Sequence, residues 1–304
     1  MNDYVIRTRG LTKTYGPIMA VDGLTMDVPR GRTFGLLGPN GSGKTTTLSI
    51  LLGLVVQTSG SCSLFGDGVT QTEALHRIGA IVETPSFYPY LSGRKNLAYF
   101  QGITGRGNRD ELDRLLDSVG LGARANDKFH TYSLGMKQRL GLAYALLGDP
   151  EVLILDEPTN GMDPAGMAEI RDLVRRLGTG GRTVLLSSHL LHEVEMVCDS
   201  VAILSRGKLI AQGDVSELLG AGEQVQLRTT DDARAKEALL MVDWIRGVEE
   251  EEGYLVASAP SERSGEITAA LSGAGVYVTE MRPRAKTLEQ YFLEVTGGSE
   301  GGPG

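Results

Sequence analysis

Hydrophobic positions in the first two thirds of the chain fall into short runs that predict strands separated by helices. Apolar and polar residues alternate in short β-rich segments over residues 4–35. Compact apolar runs at 33–37, 152–155 and 183–187 have the length of strands that are buried on both faces. Helical patterns follow the first two of these runs. Buried strands that alternate with helices indicate a parallel sheet and an α/β fold.

The spacing of apolar residues becomes helical between about 88 and 147. Leu112, Leu115, Leu116 and Val119 have the i, i+3, i+4, i+7 spacing of one helix face. Because strand-like runs resume at 152–155, this segment is predicted to be a helical subdomain inserted into the α/β fold.

The composition changes near Gly220, and a second, smaller α+β domain is predicted after it. The expected elements are strand 224–229, helix 232–242, strands 244–249 and 253–258, helix 262–272, strand 276–281 and helix 287–295. This βαββαβ order predicts a ferredoxin-like fold. The acidic run Glu249–Glu252 is expected to form a solvated hairpin turn. The predicted domains are therefore 1–220 and 221–296, and the Gly-rich segment 297–304 is expected to be disordered.

Composition excludes several classes of function. The formal net charge is -8 and no Lys/Arg run is present, so nucleic acid is not expected as a partner. No run approaches the roughly 18–20 apolar residues that span a bilayer, and Met1–Tyr4 does not resemble a secretory signal, so a cytosolic chain is expected. Cys62 and Cys198 lie far apart and outside any metal-binding pattern, so reduced, structural thiols are expected.

A glycine-rich loop follows the first buried strand and predicts a phosphate site. The loop matches GxxxxGK[ST] and consists of Gly38, Pro39, Asn40, Gly41, Ser42, Gly43, Lys44 and Thr45. Because a helix is predicted to begin at Lys44, backbone N–H groups and the positive end of that helix can converge on phosphate oxygens. Lys44 would neutralise the β- and γ-phosphates, and the Thr45 hydroxyl suits Mg²⁺. The alternative is a glycine-rich turn without a ligand.

Three further candidates follow later strands of the predicted sheet. Asp156 and Glu157 end the strand 152–155, and ligands of parallel sheets gather at the carboxyl ends of strands. Asp156 suits a Mg²⁺ contact, and Glu157 is available to orient or deprotonate an attacking water. His189 follows the next strand and could donate a hydrogen bond to a departing γ-phosphate. The alternatives are a helix cap for the acidic pair and a structural role for the histidine.

Together these motifs resemble the ATP-binding-cassette (ABC) family from residue 4 to about 215. The resemblance implies a mixed sheet core, a β-rich N-terminal subdomain, an inserted helical subdomain, and ATP with Mg²⁺ as cofactors. It implies that Tyr15 stacks on adenine. Tyr132–Arg139 is similar to the ABC signature, in which Ser133, Leu134, Gly135 and Met136 would contact ATP bound to a second chain. Leu134 replaces a glycine and Met136 a glutamine of the usual motif, so slower hydrolysis is expected.

The same resemblance assigns three further positions. Asp163 lies in the loop that crosses the dimer interface in this family, and His189 lies at the switch histidine. Glu83 stands where most members have glutamine, and a carboxylate there could bind Mg²⁺ more tightly than an amide.

Glu83, the variant signature and residues 287–294 are together similar to the ATPases of bacitracin, lantibiotic and drug-resistance exporters. The resemblance implies two chains arranged head to tail, as a homodimer or a heterodimer. Each ATP would be held between Gly38–Thr46 of one chain and Ser133–Met136 of the other. It also implies a separate transmembrane permease, a place at the cytoplasmic face of the membrane, and export of a drug, a peptide antibiotic or a similar amphipathic compound.

Non-transport ABC ATPases are the alternative class. Those of DNA repair carry a long heptad-rich insertion between their half-sites, and those of translation carry two cassettes, whereas this chain has one copy of each motif about 110 residues apart. For the C-terminal domain, ligand sensing and a simple packing role both remain open.

Overall fold

The chain forms two compact units, Met1–Gly213 and Asp214–Gly304. The computed structural model describes residues 3–66, 68–83, 85–220, 224–251, 253–284 and 286–296. The segment 297–304, which was expected to be disordered, lies outside the described residues.

The first unit alternates strands and helices as the apolar runs predict. Its strands are β1 (Tyr4–Tyr15), β2 (Ile18–Pro29), β3 (Thr33–Leu37), β4 (Ser59–Leu64), β5 (Ile78–Ile81), β6 (Val152–Asp156), β7 (Thr183–Ser188), β8 (Ser200–Ser205) and β9 (Lys208–Asp214). Its helices are α1 (Lys44–Leu51), α2 (Gln71–His76), α3 (Gly93–Thr104), α4 (Leu112–Ser118), α5 (Leu134–Ala145), α6 (Pro164–Gly178) and α7 (Leu191–Glu195).

The central sheet positions the glycine-rich loop. Its strand order is β5-β6-β7-β3-β8-β9, with β5, β6, β7, β3 and β8 mutually parallel. β3 and β6 are buried along their whole length. The carboxyl ends of β3, β6 and β7 therefore lie at the same edge of the sheet. This arrangement confirms the predicted α/β fold.

The β-rich subdomain differs from its prediction. It is a sheet of order β2-β1-β4 in which β1 and β2 are each twelve residues long, whereas short segments were expected. The register between them shifts near Gly10 and Gly23, which have φ values of 56° and 64°. Such bulges change the phase of the apolar alternation without ending the pairing. The pattern therefore looks broken where the strands continue.

The helical subdomain packs its apolar faces inward as predicted. Leu112, Leu116 and Val119 are buried. Phe87 makes edge-to-face contacts with Phe100 and other rings of this subdomain, with the two ring centroids 5.5 Å apart. Ser92 and Ser133 cap the helices α3 and α5 through their side-chain oxygens.

The second unit has the ferredoxin-like topology. It contains α8 (Val215–Leu218), β10 (Gln224–Thr229), α9 (Asp232–Leu240), β11 (Val248–Glu251), β12 (Tyr254–Ser258), α10 (Ser264–Gly273), β13 (Val278–Arg284) and α11 (Leu288–Thr296). The sheet order is β11-β12-β10-β13, and each neighbouring pair is antiparallel. β12 therefore lies between the parallel strands β10 and β11, and β10 between the parallel strands β12 and β13. These are two interleaved split βαβ units.

One part of this unit was predicted wrongly. The strand expected at 244–249 is β11, which begins at Val248, and Glu249–Glu251 lie in that strand rather than in a turn. Trp244 instead lies in a turn, where its ring stacks against the Arg263 guanidinium at 3.9 Å. Charged side chains are tolerated in β11 because it is an edge strand. The last residue of the acidic run, 252, lies outside the described residues.

None of the described helices is both long enough and apolar enough to cross a bilayer. Cys62 and Cys198 are free thiols, and burial raises the pKa of both.

Gly79 allows the helix α5 to approach the sheet closely. A β-carbon added at Gly79 in β5 would lie 1.9 Å from the carbonyl oxygen of Ala145, the last residue of α5. Since that neighbour is backbone, a larger residue can be accommodated only if the helix or the strand moves.

We therefore expect Gly79→Ala to lower the free energy of unfolding by about 1–3 kcal/mol, as overpacking does elsewhere. Urea unfolding followed by circular dichroism measures this change. Gly102→Ala in α3 is the matched control, because an added β-carbon meets nothing there and alanine favours helix. Equal stability of the two variants would contradict the close approach of α5 to β5.

Candidate functional site

The glycine-rich loop has a left-handed backbone at three glycines, Gly38, Gly41 and Gly43, and at two of them an added side chain would also clash. Gly38 and Gly43 have φ values of 150° and 102°. An added β-carbon would lie 2.2 Å from the Leu204 carbonyl oxygen at Gly38 and 2.4 Å from the Ala20 carbonyl oxygen at Gly43. The loop is thus held tightly between β3, β8 and the start of β2 and can turn directly into α1.

The first turn of α1 is suited to bind an anion. Gly43 occupies its N-cap position and provides no side-chain cap. N–H groups of this turn therefore have no intrahelical acceptor and add to the positive end of the helix dipole. Within the described part of the chain, the Ser42 hydroxyl is buried without a hydrogen-bond partner. An uncapped helix beside an unpaired hydroxyl is the arrangement that phosphate oxygens satisfy.

Lys44 brings a positive charge into the loop. Its side chain is only 5% exposed, and its Nζ donates hydrogen bonds to the carbonyl oxygens of Gly38 at 2.8 Å and Pro39 at 3.2 Å. The same Nζ lies 3.4 Å from Glu157 Oε1. Because a buried ammonium group is costly without acceptors, these contacts hold it in place when no phosphate is bound.

Glu157 joins the phosphate loop to the end of β7. Its Oε2 lies 2.8 Å from Nδ1 of His189, while its Oε1 contacts Lys44. The backbone of Glu157 is left-handed, with φ 45°, directly after the strand β6. The three side chains therefore form one continuous cluster, Lys44–Glu157–His189, at the carboxyl edge of the sheet.

Asp156 is buried beside this cluster. Its carboxylate accepts a hydrogen bond from the Ser187 hydroxyl of the neighbouring strand β7. The same hydroxyl oxygen accepts a hydrogen bond from the Glu157 N–H at 2.9 Å. Ser187 was not predicted as a site residue. Its position could have indicated it, because Ser187 lies two residues before the candidate His189, near the end of the strand that pairs with the strand of Asp156.

The remaining residues of the loop line its solvent-facing side. Pro39, Asn40, Gly41 and Thr45 are exposed, and Thr46 is partly exposed. A nucleotide could therefore reach the loop from solvent. Tyr15, predicted to stack on adenine, is 45% exposed at the end of β1, and the Lys13 ammonium lies 4.8 Å from its ring centroid.

The signature-like residues lie at the start of α5. Ser133 caps this helix by accepting a hydrogen bond from the Met136 N–H at 3.3 Å, and its own hydroxyl hydrogen remains able to donate. Gly135 has open space around it, and Leu134 is 39% exposed. A β-carbon added at Gly161 would lie 3.4 Å from Leu134, so this leucine covers the loop before α6.

Asp163 and Glu83 lie in the segments that follow β6 and β5. Asp163 caps α6 through a hydrogen bond from the Gly166 N–H at 3.0 Å. Glu83 is exposed and follows β5 with a left-handed φ of 61°. In the strand order, β6 and β7 lie between β5 and β3, a separation of about 14 Å at the usual strand spacing. α5 packs against this same outer strand. Glu83 therefore follows the outermost strand on this side of the sheet, and the signature-like residues lie beside Gly161 in the loop that follows β6.

The oxygen ligands near the loop suit a magnesium ion that is shared with phosphate. The described residues contain no group of three His, Cys, Asp or Glu side chains that could hold a metal alone. Mg²⁺ commonly uses one or two protein oxygens together with phosphate oxygens and waters. Asp156 and Thr45 fit that pattern, beside a buried Ser42 hydroxyl that still lacks a partner.

Comparisons with known proteins agree with this geometry. A family model described as ABC transporter matches residues 21–160. The chain is 40% identical over 303 residues to the uncharacterised ABC transporter ATP-binding protein YdbJ of Bacillus subtilis (strain 168). The aligned residues make up 97% of this chain and 96% of that protein. It is 38% identical over 299 residues to the bacitracin transport ATP-binding protein BcrA of Bacillus licheniformis. That alignment includes 97% of this chain and 98% of that protein.

A solved structure shows the same fold. CbiO1 from Clostridium perfringens, described as part of the ABC transporter complex CbiONQ, superposes with a TM-score of 0.65 at 28% identity over 72% of this chain and 92% of that chain. These matches support the transporter prediction over the DNA-repair and translation alternatives. The chain belongs to the family of ABC transporter ATP-binding proteins, and it is an ATPase subunit of a transporter.

Proposed function

We propose that ATP is hydrolysed at the Lys44–Glu157–His189 cluster. Glu157 orients and deprotonates the attacking water, and His189 donates a hydrogen bond to the γ-phosphate. The observation that carries this proposal is the position of Glu157, whose carboxylate contacts both Lys44 at 3.4 Å and His189 at 2.8 Å beside an uncapped helix. When ATP enters, its phosphates take over the contacts of Lys44, and Glu157 is released to bind water.

The rest of the nucleotide is held by groups around the loop. The N–H groups of 41–45 bind the phosphates, Thr46 lines the same side, and the exposed ring of Tyr15 stacks on adenine. Asp156 and Thr45 would hold Mg²⁺. The bound ion would neutralise charge that develops on the transferred phosphoryl group.

Each ATP is completed by a second chain. Ser133–Met136 lie at the start of α5 and line a surface together with Gly161, Met162 and Asp163, and in this proposal they serve the loop of a second chain. A head-to-tail pair, whether of two identical chains or of two related ones, brings the Ser133 hydroxyl and the first turn of α5 to the partner's γ-phosphate. Leu134 and Met136 lack the polar atoms of the usual motif, so this contact relies on Ser133 and backbone N–H groups. Asp163 lies in the loop that then meets the partner.

The energy of hydrolysis drives export through a separate transmembrane permease. The similarity to BcrA, a bacitracin transport protein, supports a peptide antibiotic or another amphipathic compound as cargo. CbiO1 is likewise part of a larger transporter complex. The exposed rings of Tyr88, Tyr90 and Tyr99 in and beside the helical subdomain offer a surface for that permease at the cytoplasmic face of the membrane.

The variant Glu157→Gln tests the role assigned to the carboxylate. The amide keeps the size and a hydrogen-bonding oxygen but cannot take a proton. We expect MgATP to bind and the chains to dimerise, while ATP hydrolysis falls by at least about 100-fold. Phosphate release and analytical ultracentrifugation measure the two effects. Glu73→Gln, which retains a capping group at α2, should hydrolyse ATP at the wild-type rate. Wild-type turnover in Glu157→Gln would remove Glu157 from this role.

Glu83→Gln tests a third proposed metal contact, beside those of Asp156 and Thr45. Glu83 has a left-handed backbone with φ 61°, a conformation that concentrates at functional sites. A carboxylate binds Mg²⁺ better than an amide does, so we expect nucleotide binding to persist while half-maximal hydrolysis requires several-fold more Mg²⁺. Titration of ATPase activity with Mg²⁺ measures the shift. An unchanged Mg²⁺ dependence would exclude Glu83 from the metal site.

A further inference from the structure

Ser187 lies at the meeting point of the two carboxylates to which the proposed function assigns different roles. It is completely buried near the carboxyl end of β7, directly opposite Asp156 of β6 in the parallel register. Its hydroxyl donates a hydrogen bond to Asp156 Oδ1 and accepts one from the Glu157 N–H at 2.9 Å. One side chain thus contacts both acidic residues.

The first of these bonds orients a carboxylate. The Asp156 side chain is 5% exposed, so it cannot rely on water to fix its position. With Oδ1 held by Ser187, the rotation of the carboxylate group is restricted. Hydrogen bonds of this kind, made to a metal ligand by its neighbours, fix the ligand's direction and strengthen metal binding.

The second bond stabilises an unfavourable backbone. Glu157 has a φ of 45°, a left-handed conformation that residues other than glycine seldom adopt. Such conformations persist where surrounding contacts hold them, and they concentrate at functional sites. The Ser187 oxygen is the acceptor for the N–H of this residue, so it helps to aim the Glu157 side chain at Lys44 and His189.

We infer that Ser187 is a positioning residue for ATP hydrolysis, which orients Asp156 toward the metal ion and holds the backbone of Glu157 in its productive conformation. This inference rests on the proposed function. It assigns to Ser187 no contact with ATP or with the metal.

The neighbouring Ser188 provides a matched control on the same strand. It is also buried, at 3% exposure, but its hydroxyl accepts a hydrogen bond from the Leu190 N–H at the start of α7. Ser187→Ala and Ser188→Ala therefore remove the same atom from adjacent buried positions. Only the first removal affects Asp156 and Glu157.

The test compares the affinity of the full-length chain for a non-hydrolysable ATP analogue in excess Mg²⁺ and in EDTA. For Ser187→Ala we expect the ratio of the two affinities to fall about tenfold, with the affinity in EDTA close to that of the wild type. Ser188→Ala should keep the wild-type ratio. Ser187→Thr retains the hydroxyl on a β-branched residue suited to a strand, and it should restore most of the ratio.

A second measurement separates the two bonds. If Ser187 also holds Glu157, saturating Mg²⁺ and ATP should leave kcat of Ser187→Ala at least about tenfold below the wild type, because extra metal cannot realign that backbone. Full recovery of kcat at saturation would overturn the Glu157 half of the inference. The Asp156 half would be overturned if the wild-type chain bound the analogue equally well in Mg²⁺ and in EDTA. It would also be overturned if the affinity ratio fell equally in Ser187→Ala and Ser188→Ala. A wild-type chain that binds no nucleotide in either condition would instead refute the proposed function.

Discussion

The site depends on one electrostatic constraint, the burial of the Lys44 ammonium group at the start of a helix. A charge that is 5% exposed requires acceptors, and here two loop carbonyl oxygens and the Glu157 carboxylate supply them. The positive end of α1 lies in the same place and has no capping side chain to offset it. Positive potential is therefore concentrated where a polyphosphate can enter, and the Glu157 carboxylate that contacts Lys44 also contacts the histidine. In the proposed function, binding and hydrolysis of ATP are linked because phosphate and Glu157 compete for one cation.

The central sheet explains why these groups meet and why others do not. Parallel strands bring the ends of β3, β6 and β7 to one edge, so Lys44, Asp156 and His189 become neighbours although they are far apart in sequence. The helix α5, in contrast, packs on the outer strand through the close approach at Gly79. The signature-like residues at its start lie beside Gly161 in the loop before α6. In the proposed function, these residues complete the ATP site of a second chain.

Much of this arrangement could be predicted from the sequence, because the signals are local. The loop is recognised from glycine spacing followed by lysine and threonine, and the sheet from apolar runs such as 152–155. The role of Ser187 could not be predicted, since it depends on the register between two strands and on the left-handed backbone of Glu157. Bulges near Gly10 interrupt the apolar alternation, so the long strands of the β-rich subdomain were predicted as short segments. Trp244 and Ile245 were expected in a strand, but they are stacked and buried before β11 begins. These features arise from contacts between distant segments, on which local propensity gives no information.

In the proposed head-to-tail dimer each chain contributes half of two shared ATP sites, and a mixture of two inactive variants measures this sharing. Lys44→Ala disables the loop, and Ser133→Ala disables the signature-like helix start. In a head-to-tail dimer of one of each, one site combines both defects and the other combines both intact halves. Half of the dimers in an equal mixture are of this kind, so we expect recovery of about one quarter of wild-type ATPase activity from two nearly inactive proteins. A mixture whose activity stays at the mean of its two components would contradict the shared site.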